Sequence, residues 1–191
     1  EAVKHCTKGI GVWNFASTDQ KSEPDIVMAC CGDTPTLETI AAVSILKENF
    51  KNLKIRVINV VDLMRLQSDK IHPHGLSDYD YDSLFTKDKP IIFAFHGYPS
   101  LIHQLTYKRN NQQLHVHGYL EEGTITTPFD MRVQNKIDRF HLVLDALKYL
   151  PKLENKKCDL EEWCKNKLIE HKEYIHEYGT DLDEIKNWEW K

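Results

Sequence analysis

Long apolar runs are missing from this sequence, and so are the short signatures that mark many common enzyme classes. No stretch approaches the roughly 20 apolar residues of a membrane-spanning helix, and no signal-peptide pattern opens the chain. The expected compartment is therefore the cytoplasm, with no membrane partner. No Gly-x-Gly-x-x-Gly opens a helix and no P-loop occurs, which argues against nucleotide sites of those types. A Gly-x-Ser-x-Gly elbow is missing as well, and with it the usual α/β-hydrolase nucleophile. Neither sign of charge dominates: 25 Lys and Arg face 29 Asp and Glu, for a net −4, and no basic cluster forms along the chain. Nucleic acid is not an expected partner. Cysteine is scarce, odd in number at five, and without metal-ligand spacing. Cys30 and Cys31 are neighbours in an apolar run and would point to opposite faces of a strand, while Cys158 and Cys164 are too far apart for a redox pair. Reduced, mostly packed thiols are expected. There is no initiating Met, and Glu1 to Ser17 reads straight into β-like sequence, as a piece of a longer chain would.

What is present alternates between two periodicities. Lys8 to Ser17 reads as an entering or edge strand, and Asp25 to Cys31 as a strand covered on both faces. Thr34 suits an N-cap, Pro35 the first helical position, and Glu38 the positive helix end, for a helix reaching about Asn49. Leu53 to Val61 is the next strand, followed by a polar connection with His72-Pro73-His74-Gly75 and a short helix from about Asp78 to Phe85. Pro90 to His96 is a third buried strand, Ser100 to Arg109 a helix, and Leu114 to Leu120 a fourth, alternating strand. Val133, Ile137, Phe140, Leu144 and Leu147 then form one stripe, which predicts a single helix from about Phe129 to Tyr149. A last helix, from Asp159 to Tyr178, opens on a capping-box spacing with Glu162 and ends at Gly179. The sum is an α/β fold: a three-layer sandwich around a mostly parallel sheet of four or five strands. The first strand has no crossover helix behind it, so it is free to run antiparallel at an edge. Residues 1–150 form the α/β domain, and 151–191 a helical C-terminal extension packing on it.

Chemistry is harder to locate. Ten histidines invite a metal, with His115 and His117 on one strand face and His72 and His74 flanking a proline, but no acidic or Cys partner has useful local spacing. Three loops lie beyond the carboxyl ends of parallel strands, where open α/β sheets meet ligands: Gly32 to Thr34, His96 to Ser100 and Gly123 to Thr127. Their residues could hold an anion at a helix amino end, or could simply cap and turn. The candidate interface or anion contacts are His96, Gly97, Tyr98, Thr126 and Thr127.

Longer runs carry a resemblance. Val61-Asp62-Leu63-Met64 with Gln67, HPHGLSD from His72, DKPIIFAFHGYP from Asp88, LIHQLTYKR from Leu101, HVHGYLEEGTITTPFDM from His115 and DRFHL from Asp138 stand in one order. Together they resemble the C-terminal region of the phosphoketolases, and the likeness covers at least Trp13 to Leu150. Ile125 departs from it, standing where the family usually has a third Thr.

The resemblance implies a fold like the C-terminal domain of transketolase. It also implies a parent enzyme, a carbon–carbon lyase that cleaves xylulose 5-phosphate, and often fructose 6-phosphate, with inorganic phosphate. The products would be acetyl phosphate and an aldose phosphate. Thiamine diphosphate and Mg²⁺ would serve the full-length enzyme, and none is expected in this fragment. The implied partners are the preceding pyrimidine- and pyrophosphate-binding domains and a second subunit in a homodimer. No residue here is assigned to catalysis, cofactor or metal, because the Gly-Asp-Gly and Asn-bearing segments of the family have no counterpart. Two alternatives stay open: a regulatory small-anion or metabolite module, and an independent His-dependent enzyme.

Overall fold

A computed structural model describes residues 1–120, 125–150 and 153–191. Five strands form one sheet: β1 (Ile10–Val12), β2 (Ile26–Cys31), β3 (Ile55–Val60), β4 (Ile91–Phe95) and β5 (Leu114–Gly118), in the order β1-β3-β2-β4-β5. The pairs β2–β3, β2–β4 and β4–β5 are parallel, whereas β1 lies antiparallel on β3, as its missing crossover allows. Every residue of β2 and β4 is buried, which is why these two strands read as unbroken apolar runs.

Helices cover both faces. On one side Ile26, Met28, Ile55, Val57, Ile92 and Ala94 pack under α2 (Asp33–Asn49), α5 (Pro128–Gln134) and α6 (Arg139–Lys148). That core continues into Leu160 and Cys164 of α7 (Glu154–Tyr178) and Ile185 of α8 (Asp183–Lys186). On the other side Val27, Ala29, Ile58, Val60, Ile91, Phe93 and Phe95 meet the 3₁₀ turn Leu63–Leu66, α3 (Asp78–Phe85) and α4 (Pro99–Thr106). Cys31 belongs to this second core, while Cys30 donates to the Ile58 carbonyl at 3.6 Å and accepts from the Asn59 amide.

Four expectations are corrected. Residues ahead of β1 are helical rather than extended, in α1 (Ala2–Lys8), so the first strand is far shorter than Lys8 to Ser17. Helix α2 starts at Asp33 with Gly32 as its N-cap, two residues earlier than a Thr34 cap would place it. The helix expected over Phe129 to Tyr149 is two helices. Lys136 takes φ +55°, and the Asp138 carboxylate accepts from the Phe140 and His141 N–H groups at 2.9 and 3.1 Å, restarting the chain as α6. The restart changes the phase, burying Leu142, Val143 and Ala146 and leaving Leu144 at the margin. Helix α7 begins at Glu154, so the Asp159–Glu162 spacing falls inside it and caps nothing. Glu, Asn and Lys before Asp159 offer no break, and the helix runs on to Gly179 as read.

Candidate functional site

The carboxyl ends of β2, β4 and β5 converge on one rim. The chain leaves β2 at Gly32, whose φ is +100° and where any Cβ would collide with that of His96. It leaves β4 at His96, which is exposed and places Nδ1 3.0 Å from Asp33 Oδ1. The Thr34 N–H and His96 together hold the Asp33 carboxyl below its usual range. The chain leaves β5 at Tyr119, whose N–H donates to the Gly97 carbonyl at 3.1 Å. The Tyr119 ring lies 5.0 Å from that of His96. Burial pushes the Tyr119 phenol up; Arg132 opposes, and the Asp33 and Glu38 carboxylates add to the rise. Tyr98, the N-cap of α4, is 48% exposed beside them.

Behind the rim sits a buried ionic knot. Glu38, fully buried on α2, accepts from Arg132 at 2.6 Å and from Arg139 through Nε, Nη2 and the backbone N–H, at 2.9, 3.1 and 2.9 Å. This carboxylate does not serve the α2 amino end as expected; it ties α2 to both halves of the broken α5–α6 segment.

The predicted residues thus divide. His96, Gly97 and Tyr98 lie together at the rim. Thr127 caps α5, accepting from the Asp130 N–H, and Thr126 donates to the Asp130 carboxylate, so both hydroxyls are spent within α5. Gly123 and Thr124 of the third loop lie outside the described residues. Asp33 and Tyr119 complete the rim without having been singled out; their signal was position alone, at the ends of parallel strands.

The histidine pairs have other ties. His117 lies 2.9 Å from Asp145, and His115 stacks on Tyr149 at 3.8 Å. His74 meets Asp62 at 2.9 Å, and His72 accepts from the His74 N–H. Among the described residues no three His, Cys, Asp or Glu side chains gather as a metal cluster, and no helix is long and apolar enough to cross a membrane.

A family model described as the XFP C-terminal domain matches residues 1–190. The chain belongs to that family. Relatives agree along its full length. A probable phosphoketolase of Gloeobacter violaceus is 63% identical over 190 residues, covering 99% of this chain and 24% of that protein. A probable phosphoketolase of Clostridium acetobutylicum is 60% identical over 190 residues, covering all of this chain and again 24% of the relative. The chain therefore spans about a quarter of the curated relatives it matches. Among solved structures, a transketolase from Leishmania mexicana superposes with a TM-score of 0.54 at 10% identity, over 80% of this chain and 19% of that one. At that identity the likeness speaks for the fold, and it is the transketolase-like fold that the sequence implied. XFP C-terminal domain membership bears out the resemblance read from Val61 to Leu142.

Proposed function

We propose that this XFP C-terminal domain is the companion domain of a cytoplasmic, thiamine-diphosphate-dependent phosphoketolase and is not catalytic alone. The parent would cleave xylulose 5-phosphate, or fructose 6-phosphate, with phosphate to acetyl phosphate and an aldose phosphate. One observation carries the reading: end-to-end similarity to probable phosphoketolases of which this chain makes up 24%. Thiamine diphosphate would supply the carbanion chemistry in the parent. The residues here do not suit that group. The α2 amino end, the natural seat for a phosphate, is taken by the Asp33 carboxylate itself, a negative charge held by Thr34 and His96. The same charge speaks against a regulatory anion at this rim.

What the rim offers instead is apolar surface. Val61 beyond β3, Tyr98 beyond β4, and Leu120 and Ile125 on the connection from β5 are all exposed. Apolar side chains gathered at one sheet edge suit contact with another domain more than contact with water. We assign that rim to the preceding domains of the same chain in a homodimeric parent. The test compares the parent with this chain for acetyl phosphate formation and for calorimetric binding of thiamine diphosphate with Mg²⁺. The parent should do both and the chain neither. Micromolar binding, or turnover, by the chain alone would overturn the proposal.

A further inference from the structure

A cavity of about 820 Å³ lies at the end of the sheet away from the rim. That volume is in the range of small-molecule sites, about 300–1,000 Å³. Its walls come from places where the chain must turn. Asp25, Pro90 and Gln113 each stand one residue before a strand, and α2 and α6 deliver Phe50 and Tyr149 just past their last residues.

The floor is carbon. Phe50, Leu53, Pro90 and Leu150 are buried, and Leu153 is partly so. Tyr149 stacks on His115 with ring centroids 3.8 Å apart, which holds its ring in place as one wall.

The polar groups of the walls divide by type. The acceptors are spent within the protein: the Asp25 carboxylate accepts from the Lys54 N–H at 3.0 Å, Glu48 from the Ser44 hydroxyl at 3.1 Å, and Asp88 from Lys89 Nζ at 3.2 Å. The chain ends of the helices are closed as well, with Leu46 O accepting from the Phe50 N–H, Phe50 O from Leu53 and Leu150 O from Leu153. The donors are not spent. The Lys51 and Lys156 ammonium groups, the Asn52 amide and the Tyr149 phenol make no hydrogen bond or ion pair among the described residues. Formal charge along the walls cancels, Asp25, Glu48 and Asp88 against Lys51, Lys89 and Lys156, which disfavours a polyanion or a metal ion.

We propose that this pocket binds a small monoanion with an apolar body, of the carboxylate class. The body would lie on the leucine and phenylalanine floor, and the head would take charge-assisted hydrogen bonds from Lys51 and Lys156. A sugar phosphate suits the floor poorly, because its hydroxyls would meet carbon and leave their hydrogen bonds unmade. The pocket faces away from the rim, so a ligand there leaves that surface open to a neighbouring domain. The inference does not depend on the parent being a phosphoketolase.

The probe is 1-anilinonaphthalene-8-sulfonate, an aromatic body with one anionic head. Titrated into the natively packed chain, it should bind saturably with Kd below about 1 mM. Naphthylacetate should displace it and inorganic pyrophosphate should not. The methyl resonances of Leu53, Leu150 and Leu153 should move on binding, while those of Leu66 and Leu105 on the other face of the sheet stay. Lys51→Glu with Lys156→Glu, both at exposed positions, should weaken the sulfonate by about tenfold and leave the near-ultraviolet circular dichroism unchanged. N-phenyl-1-naphthylamine, the same body without the charge, should bind wild type and variant alike. Absence of saturable binding, displacement by pyrophosphate, methyl shifts elsewhere, or equal sulfonate affinity in the double variant would each overturn the assignment. A double variant that also loses the neutral amine would do so too, since the lysines would then be shaping the pocket and not reading charge.

Discussion

Removing the Glu38 carboxylate tests whether the ionic knot holds the broken helix in place. Glu38→Ala strips Arg139 of three hydrogen bonds, and the Arg139 side chain is only 3% exposed, so its charge is left buried and uncompensated. Breaking a buried pair from one side costs about 3–5 kcal/mol. Glu38→Gln keeps the volume but turns an NH₂ toward the guanidinium groups, for a loss of about 2–3 kcal/mol. Arg132→Met should cost less, about 1–2 kcal/mol, because Arg132 is 17% exposed and Glu38 keeps Arg139. The charge itself is isolated by the double variant Glu38→Met with Arg139→Met, which should recover much of the Glu38→Ala loss. Urea denaturation with equal slopes measures all four. A Glu38→Ala loss below about 1 kcal/mol, or a double variant no better than the single, would refute the assignment of that cost to buried charge.

Phe140, 3% exposed and edge-on to Phe129, should lose about 3–5 kcal/mol on truncation to Ala, whereas exposed Lys136→Ala changes stability by less than about 0.5 kcal/mol; equal small losses would misplace the α6 core face. Burial would raise the Asp145 carboxyl, but His117 and Lys148 outweigh it and hold it down at about 2, against an ordinary 3.8. Its stabilisation is therefore complete above 3.8 and lost as pH falls toward 2, by about 1 kcal/mol after allowance for the exposed Lys148. A pH series of unfolding should show this loss in the wild type and not in Asp145→Asn; parallel curves would disprove it. Tyr98→Ala should leave the melting temperature of this chain nearly unchanged and weaken assembly or activity of a full-length parent. A large loss in this chain would mark Tyr98 as core.

The strands were legible because burial on both faces of β2 and β4 writes itself as continuous apolar sequence, and the edge position of β1 followed from connectivity. The break before α6 was not. Ile137 and Phe140 keep helical spacing across it, and what decides the matter is Asp138 competing for the next N–H groups, with Glu38 taking the Arg139 N–H from 101 positions away. The same limit applied at the rim. His96 and Tyr98 could be found from the end of a buried strand, but the Asp33 contact joins residues 63 apart, and no local pattern encodes it. Thr127 looked like an anion contact for the reason that it makes a good cap: a short hydroxyl before Pro128.

The glycines of the rim have a bearing on how this surface can be altered. A Cβ on Gly32 would strike the His96 Cβ, and one on Gly118 would strike the Gly97 carbonyl, so the three strand-end turns interlock at close range. His96 belongs to that interlock, with Asp33 3.0 Å from its ring nitrogen and the Tyr119 ring 5.0 Å away. The rim is thus fixed in shape, and it resists change at Gly32 and Gly118, where even a methyl group would force the turns apart.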